Sequence, residues 1–303
     1  MDLRQLRYFL EIAREKSFTR AATRLFVSQP ALSKQISDLE KELGAKLFVR
    51  RAHSVELTES GAQLKRRAED IIVLAEQVKT EFRDASSGLT GNIRIGAGES
   101  RSIEYLAEAC SCFLRLHPQV RIHLTSGNAE QLIARLDQGL LDLALVYMPG
   151  NPEFYEGIEL PEKETWGILM PEDASLVEKA AITREDLSGI FLITSREGLR
   201  LDFRTWYGDG VDRLNVVLDF DLGDNAIRMM RAGVGYLLAF DGLTGLGDGS
   251  GIVFRPLDPP LTAQPCLIWR RGRVLGRPCQ ELLDVFRTVC RKRAPGADGK
   301  ARD

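Results

Sequence analysis

Long apolar runs are absent from this sequence of 303 residues. No stretch reaches the roughly 18 consecutive apolar residues that a membrane-spanning helix needs. Near the amino terminus charged residues interrupt the apolar ones, whereas a signal peptide needs a continuous apolar core. The sequence therefore predicts a protein that has no membrane partner and stays in the cytoplasm.

Cysteine and histidine are also scarce, with five cysteines and three histidines in the chain. An odd number of cysteines without an export signal favours free thiols in a reducing compartment. Cys110 and Cys112 lie two positions apart in a predicted helix, so their side chains point about 200° apart and suit neither a disulfide nor a shared metal. No Cys/His spacing resembles a zinc site, and we predict neither a metal nor a redox switch.

The charge of the chain is unevenly distributed. The whole chain carries a net charge of −2, but residues 1–60 hold 11 Lys and Arg against 8 Asp and Glu, which leaves −5 for the rest. Any basic surface is therefore confined to the first segment, where binding to phosphates depends on the placement of individual side chains. The candidates for phosphate contacts are Arg20, Arg24, Lys34, Arg50, Arg51 and His53. A composition of 44% hydrophobic and 28% charged residues is typical of a folded chain with two or three domains.

The segment from Ser28 to Gly44 carries the clearest local signals. Ser28 is a suitable N-cap, Pro30 is tolerated in the first turn, and Gly44 suits the left-handed position that ends a helix. The apolar residues recur at spacings of four, three and four, so they form one buried stripe opposite a polar face. On an isolated helix such a polar face is typical of a solvated surface. The predicted buried residues are Leu32, Ile36, Leu39 and Leu43.

Two helices precede this segment and two strands follow it. Apolar spacing predicts a helix over 3–13, and Ser17 is a suitable N-cap for a second helix that ends near Leu25. Because the turn at 26–27 is very short, the pattern is that of a helix-turn-helix. Residues 47–57 predict two short strands around a basic loop, which would form a wing beside the phosphate backbone. The polar face is therefore predicted to bind DNA.

A long helix follows, capped by Thr58 and ending near Ser86. One apolar stripe runs along it at spacings of four, three, four, three and four, the pattern of a two-helix coiled coil. The alternative is that the stripe packs on its own domain. We favour homodimerisation, because the helix lies between two candidate domains. The predicted dimerisation residues are Leu64, Ala68, Ile71, Ala75, Val78 and Phe82.

Beyond a linker at 86–92, strands and helices alternate, which predicts an α/β fold with a mostly parallel sheet and helices on both sides. The polar tail at 294–303 is predicted to be disordered. Strands are predicted at 93–97, 120–124, 143–147, 166–170, 191–193, 216–220, 236–239, 252–254 and 266–269, and helices at about 102–116, 129–138 and 278–293.

These motifs resemble those of the LysR-type transcriptional regulators over nearly the whole chain. The segments at the family's spacing include Leu6-Arg7-Tyr8-Phe9, Ser17-Phe18-Thr19-Arg20-Ala21-Ala22, Ser28-Gln29-Pro30-Ala31-Leu32-Ser33, Leu39-Glu40, Leu43-Gly44, Leu47-Phe48, Arg50 and Leu57-Thr58-Glu59-Ser60-Gly61, and in the second half Leu136-Asp137-Gln138-Gly139-Leu140-Leu141-Asp142-Leu143-Ala144-Leu145-Val146.

The resemblance implies a winged helix-turn-helix at 1–58, a dimerising linker helix and hinge at 59–90, and an effector-binding domain at 91–293. That domain would resemble a type 2 periplasmic binding protein, with one lobe at 91–162 and 265–293 and the other at 165–262. Family members are homodimers or homotetramers that bind a promoter, sense a small molecule between the lobes and alter the recruitment of RNA polymerase. For this chain we predict no cofactor, only a small-molecule effector.

The recognition helix has side chains suited to reading bases. The amide of Gln29 can read adenine, Pro30 can touch a thymine methyl, and Lys34 can reach base edges or phosphates. Two such helices in successive major grooves lie about 34 Å apart, which predicts an inverted-repeat site. The predicted DNA-binding residues are Arg20, Ser28, Gln29, Pro30, Ser33, Lys34, Ser37, Arg50, Arg51 and His53.

Polar loops that follow predicted strands are the candidate effector site, since α/β sheets bind ligands beyond the carboxyl ends of their strands. Several of these loops begin helices, whose N–H groups favour an anion, although Ser and Asn are also ordinary caps there. Glu99 opposes an anion unless it pairs with Arg101 or turns outward, and it could instead indicate an amine-bearing, amino-acid-like effector. The predicted effector-binding residues are Ser100, Arg101, Ser126, Gly127, Asn128, Tyr147, Thr194, Ser195, Phe203 and Asn225.

Two other functions are compatible with an α/β domain. A solute-binding protein would use its amino-terminal helices for protein contacts, but the full helix-turn-helix motif and the absence of an export signal disfavour it. An enzyme would need a nucleophile and a base at a recognisable spacing, and the glycine-rich segment at 242–251 lacks the Gly-Lys-Ser/Thr of a phosphate loop. The sequence therefore predicts a regulator and no enzyme.

Overall fold

The computed structural model describes residues 1–50, 55–83, 89–147, 152–200, 202–243 and 251–294. They belong to two compact units, Met1–Ala85 and Ser86–Asp303. The predicted disordered tail lies outside the described residues apart from Ala294. In the parts of the chain that the structure describes, no helix is long and apolar enough to cross a membrane.

Four helices and a two-stranded hairpin make up the first unit. The hairpin is antiparallel and places Phe48 opposite Leu57. The elements are α1 (Leu3–Glu15), α2 (Phe18–Arg24), α3 (Gln29–Leu43), β1 (Phe48–Arg50), β2 (Val55–Leu57) and α4 (Glu59–Arg83).

The ends of α2 and α3 confirm the predicted caps. The hydroxyl of Ser17 accepts a hydrogen bond from the N–H of Arg20, and that of Ser28 accepts one from the N–H of Ala31. Gly44 ends α3 with a φ of 65°, which a residue without a side chain adopts at no steric cost. These signals are local in sequence, so they could be read without knowledge of the fold.

The stripe on α3 is buried as predicted, except at its end. Leu32, Ile36 and Leu39 are at most 3% exposed and pack in the core of the first unit. Leu43, however, is 41% exposed, so its predicted burial is wrong. It occupies the last turn of α3, which extends beyond that core.

A buried carboxylate attaches α3 to the wing. Glu40 accepts hydrogen bonds from the N–H groups of Leu47 and Phe48 at 2.9 and 3.4 Å, and from the ammonium of Lys46 at 2.7 Å. Burial of Glu40 raises the pKa of its carboxyl group, but these donors outweigh burial and hold the pKa below its ordinary value of 4.5. The charged form of Glu40 is therefore the one that the fold stabilises.

Glu40→Gln is expected to destabilise the first unit at neutral pH by about 1 kcal/mol, because the amide keeps one acceptor but loses the charge. Since the folded pKa is the lower one, this contribution is present above pH 4.5 and is lost as the pH falls through the folded pKa. Calorimetric unfolding of both proteins at a series of pH values from 7 to 3 measures the difference. A difference that stays constant over this range would contradict the assigned role.

The apolar stripe of α4 is shared between the unit's own core and the surface. Ala68 is fully buried, and Leu64 and Ile71 pack against the same cluster as α1 and α3. These three residues therefore fit the alternative that the stripe packs on its own unit, because a heptad pattern describes any apolar face on a helix, whatever covers it. Val78 is 53% exposed and Leu74 36% exposed. The side chain of Phe82 lies outside the described part of the chain.

Two mixed sheets and the helices around them form the second unit. The elements are β3 (Gly91–Ala97), α5 (Ile103–Leu116), β4 (Val120–Ser126), α6 (Ala129–Asp137), β5 (Leu143–Tyr147), β6 (Tyr155–Glu159), β7 (Glu164–Pro171), β8 (Leu192–Ser195), α7 (Arg196–Arg200), α8 (Asp202–Tyr207), β9 (Val216–Phe220), α9 (Gly223–Arg231), β10 (Tyr236–Phe240), β11 (Ile252–Pro256), β12 (Thr262–Ala263), β13 (Pro265–Arg270) and α10 (Arg277–Arg293). The first lobe contains a five-stranded sheet in the order β4-β3-β5-β13-β6, flanked by α5, α6 and α10. The sheet of the second lobe has the strand order β11-β7-β10-β8-β9, with β12 paired to β7.

The α/β class and the two-lobed architecture are confirmed, but the expectation of a mostly parallel sheet is wrong. Strands joined through helices are parallel, as β3 is to β4 and β5, and as β8 is to β9 and β10. Strands β7 and β13 follow the crossings between the lobes and run antiparallel to their neighbours. Periodicity reveals that a strand exists but not its direction, and it also missed β6.

Candidate DNA-binding surface and effector cleft

The polar face of α3 is accessible on the first unit. Pro30 and Lys34 are exposed, and Gln29, Ser33 and Ser37 are partly exposed. Ser28 was predicted to bind DNA, but its hydroxyl also caps the helix by accepting a hydrogen bond from the N–H of Ala31. All the predicted residues of α3 therefore lie away from the buried stripe.

Phe26 was missed by the sequence analysis, although it occupies the turn between α2 and α3. Its side chain is 95% exposed and its φ is 55°, the left-handed region that bulky residues rarely adopt. A bulky residue held in this region carries backbone strain. Its only sequence signal is an apolar residue in a turn of two residues.

The structure describes the side chains of some of the predicted phosphate contacts but not of others. Arg20 and Arg24 both approach Glu15, with Nε to carboxylate distances of 3.4 and 3.0 Å. Glu15 therefore positions both guanidinium groups on one side of α2. The backbone of Arg50 ends β1, but its side chain lies outside the described part, as do Arg51 and His53.

A cavity of about 780 Å³ lies between the two lobes of the second unit. Its wall contains polar residues of the first lobe and of the second, together with apolar residues of β5 and β10. Such a volume is within the range of sites for small molecules. Of the predicted effector residues, those that line it are Ser100, Gly127, Asn128, Tyr147 and Ser195.

Five predicted effector residues do not line this cavity. Thr194 and Phe203 are fully buried, Phe203 in the core of the second lobe beside Trp206, so their assignment to the cleft is corrected to packing. Ser126 and Asn225 are exposed outside the cavity wall. Arg101 points to Glu162 and Asp241, at 3.3 and 3.8 Å, and not into the cavity.

Two hydrogen-bonded contacts join the lobes across the cleft. Glu99 of the first lobe accepts hydrogen bonds from the N–H groups of Gly223 and Asp224, at 2.5 and 3.3 Å, at the start of α9. The amide of Asn128 donates to the carboxylate of Asp221 at 3.2 Å. A carboxylate at a helix N-terminus is electrostatically favourable, so Glu99 stabilises the approach of the lobes. The pairing of Glu99 with Arg101 that the sequence left open does not occur.

A second carboxylate, Glu164, lies at the first crossing between the lobes and is 2% exposed. It accepts hydrogen bonds from the N–H and the hydroxyl of Ser102 and from the hydroxyl of Tyr147, the last at 2.7 Å. Burial, and then the charge of Glu164, raises the pKa of Tyr147 well above its ordinary value of 10.0, which keeps the phenol protonated as a donor. No sequence pattern marks Glu164 as a buried residue, because it stands between the polar residues Lys163 and Thr165.

An aromatic wall, formed by Tyr147, Trp166 and Phe240, lines one side of the cavity. The ring of Phe240 lies 4.4 Å from that of Tyr147 and 4.1 Å from that of Trp166. The indole nitrogen of Trp166 is buried and has no hydrogen-bond partner among the described residues. Trp166 was predicted only as the start of a strand, and Phe240 directly follows a predicted strand.

Burial raises the pKa of four cysteine thiols, those of Cys110, Cys266, Cys279 and Cys290. Burial raises the pKa of Cys110 and Cys290 to about 11, and burial followed by the charge of Glu159 raises that of Cys266 to about 12. Such groups are almost entirely protonated near neutral pH and are poor nucleophiles. In the described ranges, no three His, Cys, Asp or Glu side chains form a metal-binding group.

A helix-turn-helix unit with a wing, followed by a two-lobed unit with a cavity between its lobes, is the architecture of a ligand-responsive transcriptional regulator. The chain matches the model of the lysR family of bacterial regulatory helix-turn-helix proteins over residues 3–62, and that of the LysR substrate binding domain over residues 86–291. The protein belongs to the LysR family of transcriptional regulators, which is a non-enzymatic family.

Individual relatives agree with this assignment. The chain is 33% identical over 189 residues to YnfL of Escherichia coli (strain K12), an uncharacterized HTH-type transcriptional regulator, and the match spans 62% of this chain and 63% of YnfL, less than two thirds of its length. It is 28% identical over 276 residues to the regulator XapR of the same organism, with coverage of 90% and 93%. The crystal structure of CbnR, a LysR family regulator, has the same fold, with a TM-score of 0.71, 20% identity, and coverage of 96% and 99%.

Proposed function

We propose that this chain binds an inverted-repeat promoter site as a homo-oligomer in the cytoplasm, and that a small molecule in the cleft between its lobes controls its effect on RNA polymerase. The observation that carries the proposal is the arrangement of α3. Its buried stripe fixes the helix on its unit, while Pro30 and Lys34 are exposed on the opposite face and Gln29 is partly exposed at the flank. An accessible helix face of this composition suits the major groove.

The cleft supports the second half of the proposal. The cavity of about 780 Å³ is large enough for a small molecule, and hydrogen bonds at Glu99 and Asn128 already join the lobes around it. A ligand that binds the joined arrangement more tightly than the open one shifts the equilibrium toward it. We propose Ser100, Gly127, Asn128, Tyr147 and Ser195 as its contacts.

Homo-oligomerisation is proposed through the exposed part of α4. Leu74 and Val78 lie one turn apart and are apolar side chains that the first unit leaves accessible. Two copies of α4 packed along this part would bury both residues and hold two copies of α3 at a fixed separation. A fixed separation is what recognition of two half-sites requires.

DNA recognition is tested by comparing two substitutions on two kinds of DNA. Gln29→Ala is expected to lower the affinity for a site selected from a random library by about 5- to 150-fold, with little effect on unrelated DNA, because base contacts are lost. Arg50→Ala is expected to weaken binding to the selected site and to unrelated DNA by the same factor, because a phosphate contact is lost. For the same reason the affinity of this variant should depend less on the salt concentration. Fluorescence anisotropy at several salt concentrations measures both.

Lys292→Ala is the control, because it removes one positive charge from an exposed position of α10 in the second unit. It should leave both affinities unchanged. Equal losses on both DNAs for Gln29→Ala would contradict base readout by α3, and unchanged binding for both test variants would contradict DNA recognition by this surface.

A further inference from the structure

The wall of the interlobe cavity is acidic. Three carboxylate residues line it, Glu99, Glu130 and Asp221, against one basic residue, Arg196. The guanidinium of Arg196 is paired with Asp219 at 2.8 Å, which offsets its charge. The charged groups of the wall therefore favour a positively charged ligand over a negatively charged one.

One position that would hold an anion, the start of α9, is already filled. The first N–H groups of α9 would suit a ligand carboxylate, but the chain's own Glu99 accepts their hydrogen bonds. Arg101 could also have held an anion, but it pairs with Glu162 and Asp241 outside the cavity wall. An anionic ligand at the start of α9 would have to displace Glu99 and leave it without these donors.

The remaining wall suits the apolar part of a cation. Tyr147, Trp166 and Phe240 present adjoining aromatic rings, and Leu145 and Leu238 line the same cavity. The face of an aromatic ring attracts ammonium groups, and this attraction grows when water is excluded. Carboxylates together with an aromatic wall are a combination that recognises organic amines.

We propose that the effector is an organic cation, a protonated primary amine with an apolar body, whose charge lies near Glu99 and Asp221 and whose body packs on the aromatic wall. This inference rests on the proposed function of the cleft as the effector site. It replaces the anionic effector that the helix N-termini suggested. It also assigns Glu99 and Asp221 as the residues that determine specificity.

The test uses ligands that share a body and differ in charge. Full-length protein is titrated with phenethylamine, 2-phenylethanol and 3-phenylpropionate, and with hexylamine, hexanol and heptanoate, by calorimetry and by thermal shift. We expect each amine to bind about tenfold or more tightly than its neutral and anionic counterparts, as a charge-assisted hydrogen bond predicts. The amines should therefore raise the unfolding temperature at concentrations where the others do not.

Two variants locate the charge preference. Glu99→Gln and Asp221→Asn keep the shape of each side chain and remove its charge, so each should reduce the preference for the amine severalfold. Glu172→Gln is the matched control, because Glu172 is exposed and does not line the cavity. It should retain the full preference.

The proposal would be overturned if the anions bound more tightly than the amines, or if all ligands of a series bound equally. It would also be overturned if both test variants retained the full preference for the amine. Failure of both amines to bind at 10 mM would also overturn it. Binding of DNA by the same preparation separates this failure from that of the proposed function: a protein that binds its selected DNA but no amine remains a regulator with another effector class, whereas one that binds neither contradicts both.

Discussion

Val78→Asp is expected to separate the oligomer into single chains and to lower the affinity for an inverted-repeat site by about 10²- to 10⁴-fold, the usual gain from linking two binding events. Val78 is 53% exposed, which makes it the most accessible apolar side chain described on α4, and Leu74 lies one turn before it. An aspartate in a packed seam would be a buried charge without a partner, while on a free surface it is harmless.

Analytical ultracentrifugation measures the mass, and fluorescence anisotropy on one and two half-sites measures the DNA affinity. Affinity for a single half-site should stay unchanged, which shows that α3 is intact. Glu69→Ala is the control, because Glu69 is exposed and lies about 180° from Val78 around the helix axis. A variant Val78→Asp that keeps the mass and DNA affinity of the parent would place the interface elsewhere.

The division of the α4 stripe shows where sequence reasoning reaches its limit. Spacings of four and three identified a helix and its apolar face correctly, since both depend only on helical geometry. What covers that face depends on the rest of the fold, and the core around α1 covers Leu64, Ala68 and Ile71. The proposed seam is consequently shorter than the predicted one and begins near Leu74.

The cleft shows the same limit in another form. Loops after strands could be recognised from the sequence, because parallel strands direct their carboxyl ends to one edge of a sheet. The partners of Glu99 are more than 120 residues away, and those of Glu164 include Ser102, 62 residues away. No local pattern encodes such pairs. Phe203 and Thr194 show the converse error, since residues near a strand end can still point into the core.

Glu164→Ala is expected to lower the free energy of unfolding of the second unit by about 3–5 kcal/mol, because it leaves three donors without their acceptor in a site that is 2% exposed. Glu164→Gln should cost less, about 1 kcal/mol, since its carbonyl oxygen can still accept from Ser102 and its amide can donate to the oxygen of Tyr147. The order of the two variants is therefore a test of hydrogen bonding and not of side-chain volume alone.

Urea unfolding followed by tryptophan fluorescence suits this measurement, because all three tryptophans, Trp166, Trp206 and Trp269, belong to the second unit. Glu162→Ala is the control. Glu162 is only two positions away but is 44% exposed in its pair with Arg101, and such surface pairs contribute at most about 1 kcal/mol. If Glu164→Ala cost no more than Glu162→Ala, the buried network would not stabilise the first crossing between the lobes. If it costs the expected amount, the same carboxylate that orients Tyr147 at the cavity wall also stabilises the segment about which the lobes are joined.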